Sequence, residues 1–237
     1  MIDLFSGIGG FSLAASWCWG DELEIVTFCE MDKFCQKVLR KHWPSVPIVE
    51  DVEGIDLQQY GQIDLITAGF PCQPFSTAKR GVKSHVKDFS NHVTTLIGNS
   101  SPKYAIAENV SRRVIEDVAG RFRDFGYGAK VVCLSASALN GWHKRNRWFA
   151  IAYPHDKSEF QGQIDAKVAK LSGMGGRFRY WSDPTDSIRV ADGLPHRVDR
   201  LRALGNAIVP QVAYQIMKAI KETDRKGDGE LCHHVTG

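Results

Sequence analysis

Seven short apolar runs recur along the chain, and they limit its fold more than any other feature. They are "IDLF" (2–5), "EIVTFCE" (24–30), "VPIVEDV" (46–52), "IDLITAGF" (63–70), "YAIAEN" (104–109), "AKVVCLSA" (129–136) and "RWFAIAY" (147–153). Amphipathic stretches separate the early runs. In "KFCQKVLRKHW" (33–43), Phe34, Val38 and Leu39 fall at helical spacing. Strands alternating with helices predict βαβ units, and so an α/β fold with a mostly parallel sheet and helices on both faces. Ligands in such sheets gather at the carboxyl ends of the strands. Ser6, Glu30, Asp51, Cys72 and Glu108 all fall at that end. From Pro154 to about Pro195 the rhythm gives way to Gly, Asp, Lys and Ser, which reads as an insertion. The segment "DRLRALGNAIVPQVAYQIMKAI" (199–220) returns to a helical pattern, and the polar residues after it read as a frayed tail.

Composition narrows the class. A chain of 237 residues with 24% charged and 43% hydrophobic side chains is globular and suits one domain of ordinary size. A net charge of +3 does not by itself announce a nucleic-acid binder, although a local basic stripe is compatible with it. The six cysteines show no C-x-x-C spacing, so no metal site is expected. No apolar run nears the roughly 18 residues a membrane helix needs. The first residues do not read as a signal peptide. A cytoplasmic protein with reduced thiols is the expectation.

The glycines of "LFSGIGG" (4–10) let the backbone turn sharply and approach a ligand, ahead of a helix whose N-terminus favours negative charge. Glu30 lies twenty residues after Gly10, where an acid holds ribose hydroxyls in dinucleotide folds. The pattern is not G-x-G-x-x-G, which argues against NAD. Taken alone, it also fits a tight strand-to-helix turn with two surface acids.

In "GFPCQPFS" (69–76) a cysteine stands between two prolines directly after a strand. Prolines fix φ and withhold backbone donors, so they aim a neighbouring side chain and keep the segment out of a ladder. Cys72 is either such an aimed nucleophile or inert filler, since free cysteine is among the most buried residues. "AIAENV" (105–110) sets Glu108 and Asn109 at another strand end. "HKRNRWFAIA" (143–152) sets Arg145 and Arg147 before a strand, where alternate residues share a face. A thiol, a carboxyl and guanidiniums at one sheet edge can activate an electron-poor ring.

The segments "DLFSGIGGFSLA", "FCEMDKFCQKVLRKHWP", "EDVEGID", "GFPCQPFS", "ENV", "HKRNRWFAIA" and "RALGNAIVPQVA" stand in the order found in DNA (cytosine-5)-methyltransferases, and the chain resembles that family from residue 3 to about 213. "RVADGLPHRVDRLRALGNAIVP" is similar to small phage and prophage members. The resemblance implies a Rossmann-like S-adenosylmethionine-dependent methyltransferase fold. Residues 1–153 and 199–222 would form the catalytic, cofactor-binding domain. Residues 154–198 would form a small target-recognition region, and 223–237 a flexible tail.

The resemblance also implies roles. Phe5, Ser6, Gly7, Ile8, Gly9 and Gly10 would line the S-adenosylmethionine pocket. Glu30 would hold the ribose, and Met31, Asp51 and Val52 would meet the adenine. Pro71, Asn206 and Ala207 would complete the pocket. Cys72 would be the nucleophile, Glu108 the carboxyl on the target cytosine, Arg147 a donor to its carbonyl oxygen and Arg145 a support. Gln73, and Ser76, Lys79 and Arg80 in a polar loop over 76–92, would meet double-stranded DNA. So would Arg177, Arg179 and Arg189, with Arg197, Tyr180 and Trp181 as further candidates. A restriction endonuclease partner, or none, is compatible with this reading. The chain departs from the family pattern at His143, where a glutamine is usual, and no Asp–Arg–Gly-like element stands between Cys72 and Glu108. A methyltransferase acting on RNA and an inactive DNA- or cofactor-binding relative are the alternatives.

Overall fold

The computed structural model describes residues 1–71, 89–139, 145–155, 162, 166 and 197–230. Seven strands form one sheet: β1 (Ile2–Leu4), β2 (Thr27–Cys29), β3 (Ile48–Val49), β4 (Leu65–Ala68), β5 (Tyr104–Asn109), β6 (Tyr127–Ser135) and β7 (Asn146–Pro154). Their order is β3-β2-β1-β4-β5-β7-β6. All neighbours from β3 to β5 are parallel, while β7 runs antiparallel to both β5 and β6. Each apolar run of the sequence supplies one strand.

The antiparallel strand matters for the site. Six strands end at the carboxyl edge of the sheet, and β7 begins there. Its first residues therefore lie beside the last residues of β5, with Asn109 opposite Trp148 and Glu108 opposite Phe149.

Helices α1 (Gly10–Trp19), α2 (Lys33–His42), α3 (Phe89–Ser100), α4 (Arg112–Asp124), α5 (Arg197–Asn206) and α6 (Pro210–Glu230) complete the described fold. Period-2 alternation divides the strands between two apolar cores. Ile106, Phe149, Ile151 and Tyr153 face the α1–α6 layer with Phe11, Val212 and Ile216. Ala105, Ala107, Ala150 and Ala152 face the α3–α4 layer with Val93, Ile97, Val118 and Phe122. The sheet is thus covered on both sides, as a mainly parallel sheet requires.

The short β1 is an interior strand of the sheet. It pairs with β2 and β4 over its whole length, and Ile2, Asp3 and Leu4 are fully buried. Asp3 is buried without a cation, but Thr67 Oγ1 donates to its Oδ1 at 2.7 Å and Ser12 Oγ donates to its Oδ2 at 2.8 Å. Burial still pushes its carboxyl up to about 7, against those two hydroxyls.

Three local readings of the sequence change. The helical pattern of 199–220 is two helices, α5 and α6, interrupted over Ala207–Val209. Pro210 opens α6 at the first helical position, where its missing N–H costs nothing. α6 runs on to Glu230, and its residues Thr223 and Asp224 are held: Thr223 is buried, and Tyr104 Oη donates to Asp224 Oδ1 at 2.6 Å. Phe89–His92, read as the end of the polar loop, open α3. The rest of that loop, with Ser76, Lys79 and Arg80, lies outside the described residues, and Cys72 and Gln73 ahead of it do too. So do His143, Arg177, Arg179, Tyr180, Trp181 and Arg189.

No helix among the described residues is long and apolar enough to cross a membrane. None of their His, Cys, Asp and Glu side chains cluster as metal ligands.

Candidate active site

The glycine turn leaves β1 with Phe5 at φ 53, Gly7 at φ 55 and Gly9 at φ 84. Gly9 is fixed by space as well as by φ, since an added Cβ would lie 2.5 Å from the Trp43 ring. At Gly10 an added Cβ would lie 2.3 Å from Ile208 Cγ2. Two motifs almost two hundred residues apart in sequence, "GIGG" and "GNAIVP", therefore pack directly together. Gly7 is different: among the described residues nothing lies within 4 Å of an added Cβ, so the turn is open to them on that side.

Glu30, just past β2, reaches back to this turn. Gly7 N donates to its Oε2 and Asp32 N to its Oε1, both at 2.7 Å. The carboxylate thus ties the glycine turn to the start of α2, whose N-cap is Asp32, accepting from Phe34 N and Cys35 N. Arg202 of α5 pairs with Asp32 from outside.

A cavity of about 410 Å³ opens at this edge. Of the residues the resemblance assigns to the cofactor, Phe5, Gly7, Glu30, Met31, Pro71 and Asn206 line it. Glu108 and Arg147 line the same cavity, so the glycine turn and the carboxyl–guanidinium pair share one space. Met31 is 76% exposed, an apolar side chain left facing solvent at the rim. Hollows at the amino ends of β1, β4 and β5 and along the β6 edge contain neither of these groups.

Glu108 is the second-last residue of β5 and Arg147 the second residue of β7. Arg147 Nε lies 2.8 Å from Glu108 Oε1, with side chains 18% and 11% exposed. Glu108 Oε1 nevertheless accepts no hydrogen bond, so the pair is an ionic contact without an aligned donor. Burial pushes the Glu108 carboxyl up to about 7, and the charges of Arg147 and Arg145 only partly offset it. A carboxyl half-protonated near neutrality can donate a hydrogen bond or accept one. Next to it, Asn109 Nδ2 donates to the Phe70 carbonyl at 3.2 Å and its Oδ1 accepts from Ser111 N. Asn109 therefore fixes the strand exit that leads into residue 72.

Other expected residues lie elsewhere. Arg145 does not contact Glu108; its Nη2 donates to the carbonyls of Gly205 and Ala207 at 2.6 and 2.7 Å. Ser6 is buried and donates to the Asp3 carbonyl at 2.6 Å. Gly9 and Gly10 are buried beneath Trp43 and Ile208, and neither they nor Ile8 line the cavity. Asp51 is exposed and accepts from Glu53 N, while the buried Val52 offers its carbonyl to His92 Nε2 at 3.0 Å.

Sequence reasoning missed Asp32, Gly69, Phe70, Val110, Arg202 and Ala203 in the cavity wall. Asp32 had a signal, an acid one residue ahead of a helical pattern. Cys35, in the same wall, is pushed by burial up to about 12, as is Cys29, and burial also raises Cys133. These three stay neutral thiols near neutral pH and are poor nucleophiles.

The family model described as C-5 cytosine-specific DNA methylase matches residues 1–175. The chain is 30% identical over 171 residues to Type II methyltransferase M.HindV of Haemophilus influenzae, covering 67% of this chain and 54% of that protein. It is 26% identical to Type II methyltransferase M.CviJI of Paramecium bursaria Chlorella virus IL3A, covering 90% of this chain and 57% of that protein. The chain thus spans little more than half the length of these two relatives. The Entamoeba histolytica methyltransferase EhMeth has a similar fold, with a TM-score of 0.62 at 14% identity over 93% of this chain and 97% of that one. This chain belongs to the C-5 cytosine-specific DNA methylase family.

Proposed function

We propose that this protein methylates carbon 5 of a cytosine flipped out of duplex DNA, with S-adenosylmethionine as methyl donor. One observation carries the reading: a single cavity joins the open glycine turn and the Glu30 carboxylate to Glu108 and Arg147.

The residues present suit that cofactor. The open side of Gly7 admits a ligand against the backbone. Each Glu30 oxygen accepts one backbone N–H and keeps lone-pair capacity for ribose hydroxyls. Met31 and Phe5 offer apolar surface for a purine, and Asn206 offers an amide from the opposite wall. When bound, the cofactor supplies an electrophilic methyl group.

The chain's own groups would prepare the base. Carbon 5 of cytosine is a poor nucleophile. Addition of the Cys72 thiolate to carbon 6 makes it part of an enamine. Protonated Glu108 donates at ring nitrogen 3, and Arg147 donates to the carbonyl oxygen as charge grows there. Carbon 5 would then take the electrophilic methyl group, with S-adenosylhomocysteine leaving as a neutral thioether, and loss of the carbon 5 proton to a base restores the ring double bond and expels the thiolate. A stacked base is out of reach of these groups, so the cytosine is extruded at a cost of a few kcal/mol. Residues 154–198, with Arg177, Arg179 and Arg189, are proposed to read the target, and Gln73, Ser76, Lys79 and Arg80 to meet the DNA backbone. The relatives' description as Type II enzymes supports a restriction–modification setting, with or without a nuclease partner.

The test is transfer of label from tritiated S-adenosylmethionine to duplex DNA, with transfer RNA in parallel. Label in DNA cytosine is expected. Label only in RNA, or in neither although the cofactor binds, overturns the proposal.

A further inference from the structure

Arg145 connects two parts of the site that the sequence keeps sixty residues apart. Its Nη2 donates to the carbonyls of Gly205, in the last turn of α5, and Ala207, just past it. Carbonyls at a helix end have no later N–H to satisfy them, and α5 has no basic residue in its own last turn. Arg145 is therefore a cap supplied from another element, with its charge on the negative end of the helix. The capped turn presents Asn206 to the cavity. Two residues beyond Arg145, Arg147 contacts Glu108.

The environment of Arg145 is not that of an ordinary surface arginine. Its Nε is buried without a hydrogen-bond partner, and burial and the Arg147 charge lower its pKa. Both disfavour a guanidinium here, and the two carbonyls and Glu108 offset them.

We infer that Arg145 is a positioning residue that couples the Asn206 wall of the cavity, through the Gly205 and Ala207 carbonyls, to the Glu108–Arg147 pair. A ligand that orders the Asn206 turn holds the two carbonyls in place. These hold Arg145, and the short 145–147 segment then sets Arg147 against Glu108. The ligand's identity rests on the proposed function.

The test uses the full chain and S-adenosylhomocysteine, without turnover, then the pH dependence of methyl transfer. In the parent protein the ligand should slow amide hydrogen exchange at both 205–209 and 145–148; protection of only one segment overturns the coupling. Arg145→Ala should weaken S-adenosylhomocysteine by about tenfold. It should also move the pH midpoint assigned to Glu108 upward, because the Arg145 charge is lost and Arg147 is no longer held against the carboxyl. Arg145→Lys should recover part of both effects. Unchanged affinity in Arg145→Ala, or weaker affinity with an unmoved midpoint, overturns the inference. If Arg145→Ala does not fold, the exchange experiment on the parent decides. A parent that binds no S-adenosylhomocysteine at all overturns the cofactor reading and this inference together, a failure distinct from the others.

Discussion

The Arg147 guanidinium stands 2.8 Å from the Glu108 carboxyl, yet the carboxyl is held at about 7 rather than low. Desolvation outweighs the attraction because Glu108 is buried at the end of a central strand and the donor is not aligned with its oxygen. The pair is also a product of topology. Only an antiparallel β7 can begin where β5 ends, and that brings residues 108 and 147 together.

Glu108→Gln keeps the shape and removes the proton. Its kcat should fall by about 10²–10⁴, the range for a lost general acid, while S-adenosylhomocysteine binding stays near the parent value. In the parent, the kcat limb that needs protonated Glu108 should decline above about pH 7. That limb should be missing in Glu108→Gln. Steady-state rates from pH 5.5 to 9 check both points.

The same buried carboxyls set a pH dependence of stability. Asp3 and Glu108 are both raised to about 7, from ordinary values of 3.8 and 4.5. The folded chain then holds protons that the unfolded chain releases. Stability falls as pH rises from about 4 to about 7, and the full deficit persists above that, each group contributing a few kcal/mol at most. Asp3→Asn should remove part of this slope and leave the part due to Glu108. Urea unfolding at pH 5 and pH 8 measures the difference.

Gly10→Ala should destabilise the fold by about 1–3 kcal/mol, the cost of overpacking, because the new methyl meets Ile208 at 2.3 Å. The smaller side chain of an Ile208→Ala background should recover part of that loss. Thermal melts of the two single variants and the double variant check it.

Met31→Ala should leave the melting temperature unchanged, since the side chain is exposed and packs on nothing it would expose. It should weaken S-adenosylhomocysteine by roughly tenfold if Met31 covers the purine, the loss expected when one apolar side chain no longer buries its surface. Isothermal titration separates the two effects.

Much of this arrangement was legible in the residues. Apolar runs bounded by glycines and acids locate all seven strands, and the residues at their carboxyl ends include Glu30 and Glu108. Other features needed the third dimension. Alternate residues share a face only within a strand, and β7 begins at Asn146, so Arg145 lies outside the ladder and turns to α5 while Arg147 faces Glu108. The break at Ala207–Val209 is visible only when Pro210 is read as a helix start rather than as an interruption. Asp3 reads as one acid of an apolar run; its burial follows from β1 lying inside the sheet between β2 and β4, which strand order alone decides. Tertiary proximity of Gly10 and Ile208 has no local signal at all.

The central claim concerns Cys72 acting with Glu108 and Arg147 on one pyrimidine, and trapping tests it most directly. Duplex DNA carrying 5-fluorocytosine at the target position, incubated with protein and S-adenosylmethionine, should give a covalent complex, because fluorine at carbon 5 cannot leave as a proton does. Peptide mapping should place the adduct on Cys72, and Cys72→Ala should abolish it. A stable adduct on Cys35 or Cys133, or an undiminished adduct in Cys72→Ala, contradicts the account.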